Sequence, residues 1–263
     1  MSGPVIDVHA HIGRTVWTGQ GQTFSAYLET MRAANIDQAI LSPVAGGRAA
    51  DGARDTMREN DAIAEAMREE PLRFPVGLAT VEVRHEELAL LELERALDTL
   101  GLHGVAFHAM FSGFVVGAGG VLDPLLELAD QREALCLMHA MPEAGAFSME
   151  SPRAIGELAE RYPRVTFIMG HPAISADERA VAVEAAAGRE NVYLDLAYQA
   201  SSETVEVLVR ALGAERVLFG SDAPFCDPLP TIRSVAAARV SDDAKERILG
   251  GNARELIERH RRG

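Results

Sequence analysis

Short apolar runs alternate with longer amphipathic stretches from one end of the chain to the other. The apolar runs cover residues 4–11, 38–43, 74–80, 104–108, 134–139, 165–170, 192–196 and 216–221. They are rich in Val, Ile, Leu and Phe and mostly lack polar alternation, the pattern of parallel strands covered on both faces. The stretches between them, 24–35, 55–69, 85–100, 122–132, 151–161, 175–188, 203–212 and 230–238, repeat apolar residues at three and four, with Glu and Arg filling the other face. That is the period of amphipathic helices. Ser151-Pro152 and Ser175-Ala-Asp-Glu178 carry the cap and first-turn chemistry of helix starts. Residues 241–261 read as one more helical region, with a break expected at Gly250-Gly251.

Eight strands, each followed by a helix, predict a single α/β domain over residues 1–263: a (β/α)8 TIM barrel with a C-terminal helical extension. An open doubly wound sheet would gather its ligand residues at one switch point. Here the chemical residues recur at the first, fifth, sixth and eighth runs, which only a closed ring brings together. The longer connections, 13–23, 44–54, 111–121, 141–150 and 223–229, all follow strands, whereas returns such as 70–73 and 162–164 are brief. That asymmetry places the elaboration at the face where barrel enzymes hold their active sites.

Four of the apolar runs end on a metal-type side chain. They are Asp7-Val-His9-Ala-His11, Leu135-Cys-Leu-Met-His139, Phe167-Ile-Met-Gly-His171 and Leu218-Phe-Gly-Ser-Asp222. Residues two apart share a face of a strand, so His9 and His11 project side by side. The same parity joins His139 to Leu135 and Leu137, and His171 to Val165, Phe167 and Met169. It also joins Asp222 to Leu218 and Gly220, and His9 and His11 to Val5 and Asp7. Each chemical residue is thus expected to continue an inward-facing series above a packed interior.

A borderline divalent cation held by imidazole and carboxylate, with a position left open for water, is a zinc-type catalytic site. The ion lowers the pKa of its water and polarises a carbonyl oxygen. Asp222 is placed to touch the metal and accept the water's proton. His171 is placed to orient that water, act as general base or steady an oxyanion.

The constellation resembles the amidohydrolase superfamily, specifically its amidohydrolase-related branch. The matching segments are Ile6-Asp-Val-His-Ala-His11, Gly101 to His108, Met138-His139, Met169-Gly-His171, Leu218-Phe-Gly-Ser-Asp-Ala-Pro224 and Gly251-Asn-Ala-Arg254. The resemblance implies a distorted barrel holding one divalent metal, zinc first and manganese second. It implies His9, His11, His139 and Asp222 as ligands and His171 as a catalytic histidine. Branch members include hydrolases of amides and lactones, and decarboxylases similar to aminocarboxymuconate-semialdehyde decarboxylase.

Binuclear members of the superfamily bridge two metals with a carbamylated lysine on the fourth barrel strand. Lys245, the only lysine, follows the last strand and cannot serve, and Gly104-Val-Ala-Phe-His-Ala109 stands where many relatives read Gly-x-Lys-Leu-His-Pro. One metal is expected. His108, which survives from that pattern, is a substrate-binding candidate or a buried support. Arg14 and Tyr198 are further substrate-binding candidates, with Arg48 and Arg54 behind Arg14 as clamps for a carboxylate. Asp7 reads as a supporting carboxylate, and His85, His103 and His260 as solvent-facing.

The bulk numbers narrow the partners. Of 263 residues, 39 are acidic and 25 basic, a formal charge of −14 that repels phosphate backbones and anionic lipid. A small-molecule substrate is expected, with no nucleic acid and no membrane; assembly into a homo-oligomer is left open. Cys136 and Cys226 lack finger or redox spacing. No basic-then-apolar leader opens the chain and no run approaches membrane-spanning length, so the expected compartment is the cytoplasm. The expected activity is metal-dependent hydrolysis of an amide or lactone. A carboxy-lyase shares every motif, a metal-free lactonase shares the histidines, and a non-catalytic scaffold requires a broken site.

Overall fold

All the strands but the short Gly21–Gln22 form where the apolar runs are. In chain order the strands are β1 (Ile6–Arg14), β2 (Gly21–Gln22), β3 (Gln38–Pro43), β4 (Val76–Ala79), β5 (Gly104–Phe107), β6 (Leu135–His139), β7 (Thr166–Gly170), β8 (Val192–Asp195) and β9 (Val217–Leu218). The structure is a computed structural model describing residues 3–16, 18–44, 52–140, 149–172, 175–198 and 201–261. All strand pairs are parallel except β1 with β2, and the sheet order is β2-β1-β3-β4-β5-β6-β7-β8-β9.

The sheet curls until its ends meet. Val8 N–H donates to Phe219 O (3.0 Å), Asp222 N–H to His9 O (2.8 Å) and His11 N–H to Ala223 O (2.8 Å), with a parallel bridge between Ala10 and Ala223. This seam sets the segment after β9 beside β1, so the first and last chemical residues of the sequence become neighbours. The result is the distorted TIM barrel expected.

Ile6, Val8, Ile40, Val76, Leu78, Leu135, Leu137, Ile168 and Leu218 fill the interior. Ala253, Leu256 and Ile257 of the terminal helix Asn252–His260 join that cluster and cover the end where the strands begin. The opposite strand faces, with Leu41, Phe107, Met138, Phe167 and Phe219, pack outward against the helices. Ser151 and Ser175 cap their helices, Ser175 with Glu178 in a reciprocal capping box.

Three expectations change. Strand parity holds for Leu135, Leu137 and His139, and for Leu218, but not for β1 or β7. In β1, Asp7 pairs with Ala39 and Ala10 with Leu41, so three steps of β1 oppose two of β3. This bulge swaps the faces: Ile6 and Val8 point inward below it, and His9 and His11 above it. In β7 the interior residue is Ile168, while Phe167 and Met169 face the helices. His171 reaches the barrel mouth by leaving the strand in the left-handed region, at φ 61°.

The 13–23 connection is partly a hairpin, because β1 continues to Arg14 and pairs with Gly21–Gln22. A Cβ at Gly21 would lie 2.1 Å from Gly13 O, so the approach requires glycine. The Gly250-Gly251 pair does not break the tail. Asp242–Glu246, the π-helical turn Arg247–Gly251 and Asn252–His260 follow without interruption. Gly250 is small because a Cβ there would sit 1.9 Å from Pro4 O. Arg48, with most of the 44–54 and 141–150 connections, lies outside the described residues. Among the described residues no helix is long and apolar enough to cross a membrane.

Candidate metal centre

Five imidazoles form a closed ring across the barrel mouth. Centroid separations run His9–His11 4.8 Å, His11–His108 5.7 Å, His108–His139 4.4 Å, His139–His171 4.5 Å and His171–His9 4.8 Å. Asp222 closes one side, its Oδ1 lying 3.3 Å from His11 Nε2 and 3.9 Å from Nε2 of both His9 and His171. His9 and His11 come from β1, His108 follows β5, His139 ends β6, His171 follows β7 and Asp222 follows β9. The last strands contribute through strained exits: His171, Tyr198 and Asp222 all have φ between 61° and 63°. A non-glycine residue in that region costs on the order of 1–3 kcal/mol and persists where its surroundings fix it.

The two β1 histidines are locked by their Nδ1 atoms. His9 Nδ1–H donates to Asp195 Oδ2 at 2.6 Å. Asp195 also accepts from the N–H groups of His171 (3.1 Å) and Ala197 (3.0 Å). His11 Nδ1 lies 3.2 Å from Pro43 O and 2.8 Å from Ser42 Oγ. A carbonyl only accepts, so Nδ1 carries the proton and Nε2 turns its lone pair to the centre. A histidine whose far nitrogen donates to a carboxylate or carbonyl is the usual form of an oriented metal ligand.

Nε2 of His9, His11, His108, His139 and His171 are all buried, and none has a hydrogen-bond partner. Each such orphan costs about 1–3 kcal/mol. Five together rival the whole net stability of a domain, roughly 5–15 kcal/mol. Two buried carboxylates, Asp195 and Asp222, reach the ring, and a third, Asp7, lies behind β1. Ligand atoms within 4.8 Å of one another group as His9, His11 and Asp222; as His9, His139 and His171; and as His11, His108 and His139. Nitrogen-rich donors, buried acceptors without partners and surplus negative charge together fit a divalent cation.

Protonation follows from burial. It lowers the pKa of His11, drives His108 and His139 well below the ordinary imidazole value, and takes His171 down to about 4, with neighbouring imidazoles adding to each shift. Burial also pushes His9 down, but the carboxylates of Asp195, Asp222 and Asp7 outweigh it and leave His9 raised. Burial pushes the Asp222 carboxyl up, yet His11, with Nε2 only 3.3 Å away, and the fields of His171 and His9 hold it below the usual range.

All five histidines and the aspartate singled out in the sequence for this site converge. Tyr198, 56% exposed, has its ring 5.8 Å from His171, and Phe225 lies 6.1 Å from His11. Of the arginine candidates, Arg14 and Arg54 do not join. Arg14 is exposed at the end of β1, and Arg54 is exposed in the first turn of Ala53–Glu69. His85 is exposed as expected, whereas His103 and His260 are half-buried, each with a nitrogen lacking a partner. They line a cavity of about 1210 Å³ at the opposite end of the barrel, which holds none of the converging donors. Asp195 went unnoticed in the sequence. Its signal was an acidic residue inside the apolar run Val192-Tyr-Leu-Asp-Leu196.

Comparison with known proteins bears on the family and the fold. The amidohydrolase family model matches residues 6–259. No curated protein matches the chain. Among solved structures, 5-carboxyvanillate decarboxylase from Sphingomonas paucimobilis superimposes with TM-score 0.77 at 18% identity, covering 98% of this chain and 99% of that one. The 2,6-dihydroxybenzoate decarboxylase from Rhizobium gives 0.74 at 18%, covering 97% and 99%. A dihydroxybenzoic acid decarboxylase from Polaromonas sp. JS666, with bound manganese and 2-nitroresorcinol, gives 0.75 at 19%, covering 97% of each chain. Likeness at these identities speaks for the barrel, and the family match speaks for the sequence: this chain belongs to the amidohydrolase family.

Proposed function

We propose that the protein is a metal-dependent carboxy-lyase that removes carbon dioxide from a small unsaturated or aromatic carboxylate. The observation that carries the reading is the convergence of five partnerless, buried imidazole nitrogens with Asp222 at the barrel mouth. The choice of lyase is supported by the decarboxylases among the similar structures, one of them holding manganese. The sequence reading put hydrolysis first and this reaction second.

His9, His11, His139 and Asp222 would hold one divalent ion. Imidazole-rich donors favour zinc, and manganese is the alternative. When bound, the ion would supply a positive charge that holds and orients the substrate's carboxylate. His171 or Asp222 passes a proton to the carbon bearing the carboxylate, and must first take it up, because the site holds both unprotonated. The carbon–carbon bond then breaks, its electron pair returns to the unsaturated system, and carbon dioxide leaves. The donor regains its proton from solvent. His108 faces the substrate, with Tyr198 against its body and Arg14 as an outer contact.

Hydrolysis of an amide or lactone is the second reading, favoured by one observation. Asp222 is held ionised, the state of a general base ready to take a proton from water. A metal-replete screen separates the two. Carbon dioxide released from hydroxybenzoates or muconate-like acids, with lactones and amides untouched, is the expected outcome. Turnover confined to lactones or amides would sink the lyase assignment, and activity undiminished after complete metal removal would sink both.

A further inference from the structure

We propose that Asp7 is a positioning residue for the metal centre, a latch that fixes His9 and Asp222 relative to one another across the barrel seam. The inference rests on the metal-dependent reading above, and it concerns a residue that faces neither metal nor substrate.

Asp7 sits at the bulge of β1, fully buried, and each of its oxygens accepts two hydrogen bonds. Oδ1 takes the N–H of His9 at 3.0 Å and the N–H of Ser221 at 2.9 Å. Oδ2 takes the hydroxyl of Tyr27 at 2.6 Å and that of Ser221 at 2.5 Å. All four donors are neutral. One oxygen thus bridges the backbone of a residue offering an imidazole to the centre and the backbone of the residue before Asp222.

A few backbone bonds also cross the seam here, and Asp7 backs them from the outer side. Beyond Leu218 the last strand is irregular, with Asp222 at φ 63°. The surrounding bonds repeat the same linkage: Asp222 N–H donates to His9 O, and Ala223 N–H donates to Ser221 Oγ at 2.9 Å. Tyr27, on the helix Phe24–Ala34, ties the latch to the outer layer and stacks on Phe74 at 6.2 Å. The bulge is the reason a side chain with two polar branches is needed here. It places Asp7 on the helix side of the sheet while turning His9 inward, so one branch collects the two backbone N–H groups and the other the two hydroxyls from behind.

Exchange of Asp for Asn tests the bonds separately from the charge. The amide oxygen can keep both backbone donors, and the amide nitrogen can donate to the two hydroxyls with their roles reversed. Zinc affinity of the whole protein, measured by competition with a chromophoric chelator, should fall about 10–100-fold in Asp7→Ala and stay within about threefold of wild type in Asp7→Asn. The thermal transition of the metal-free proteins, followed by circular dichroism, confirms that each variant is folded at the temperature of the titration. Wild-type affinity in Asp7→Ala, or equal losses in Ala and Asn, overturns the proposal. Should Asp7→Ala fail to fold, Ser221→Ala decides: at least threefold weaker zinc binding is expected, and unchanged binding overturns it. A wild-type protein that binds neither zinc nor manganese would instead remove the metal-dependent reading itself.

Discussion

Asp195 shows how a residue outside the ring controls one inside it. Its carboxylate holds His9 Nδ1 at 2.6 Å and the backbone N–H that presents His171 at 3.1 Å. Losing such an orienting partner typically costs 10–100-fold in metal affinity. Asp195→Ala should therefore weaken zinc binding by about that factor, as chelator competition would report; unchanged affinity would mean that His9 is held by packing alone. His9→Ala and Asp222→Asn remove donors outright and should lose metal or turnover while chemical unfolding stays cooperative. Full turnover with metal bound in either variant would contradict the ligand set. His108 separates from these. If it faces substrate, His108→Ala loses turnover at full metal content, whereas metal loss would place it among the ligands.

At the scale of elements, burial on both faces leaves an unmistakable apolar signature. The sequence therefore shows which runs hold strands, though β1 goes on to Arg14 and β9 keeps only Val217–Leu218. It does not show how the chain leaves a strand. The β1 bulge and the left-handed exit at His171 both overturn a parity argument that holds for His139, and neither has a local sequence signal that period-two reading detects. Two glycines beside His9 record the constraint instead. A Cβ at Gly170 would lie 2.7 Å from His9 Cε1, and one at Gly220 2.8 Å from His9 Cβ. Gly170→Ala should thus push His9 off Asp195 and weaken metal binding. Gly250→Ala should behave oppositely, because its Cβ would meet Pro4 O at the far end of the barrel. It should cost roughly 1–3 kcal/mol of stability, the usual price of overpacking, and leave zinc affinity unchanged in the folded protein. Urea unfolding and chelator competition on both variants test the contrast, and matching effects on both measurements would refute it.

For the whole molecule, the two ends of the barrel differ in chemistry, and acid should reveal the end without donors. His103 and His260 sit where the strands begin, and burial lowers each to about 4. The nearby cations of Arg261, for His103, and Arg259, for His260, push the same way, and His103 adds to the shift on His260. In the unfolded chain both imidazoles titrate near 6.5. Between about pH 6.5 and 4 the unfolded state therefore binds more protons than the folded one, so stability rises with pH across that window and is level above it. Acidification favours unfolding from this source until the folded-state pKa is passed. The ring histidines with lowered values act in the same direction when free of metal, so the contribution of the far end must be read as a difference. In metal-free protein, replacing His103 and His260 together by Gln should make the fall in urea midpoint from pH 7 to 4 shallower than in wild type, with the two proteins responding alike above pH 7. An identical slope in both would show that these imidazoles take up protons as readily in the folded barrel as in the open chain.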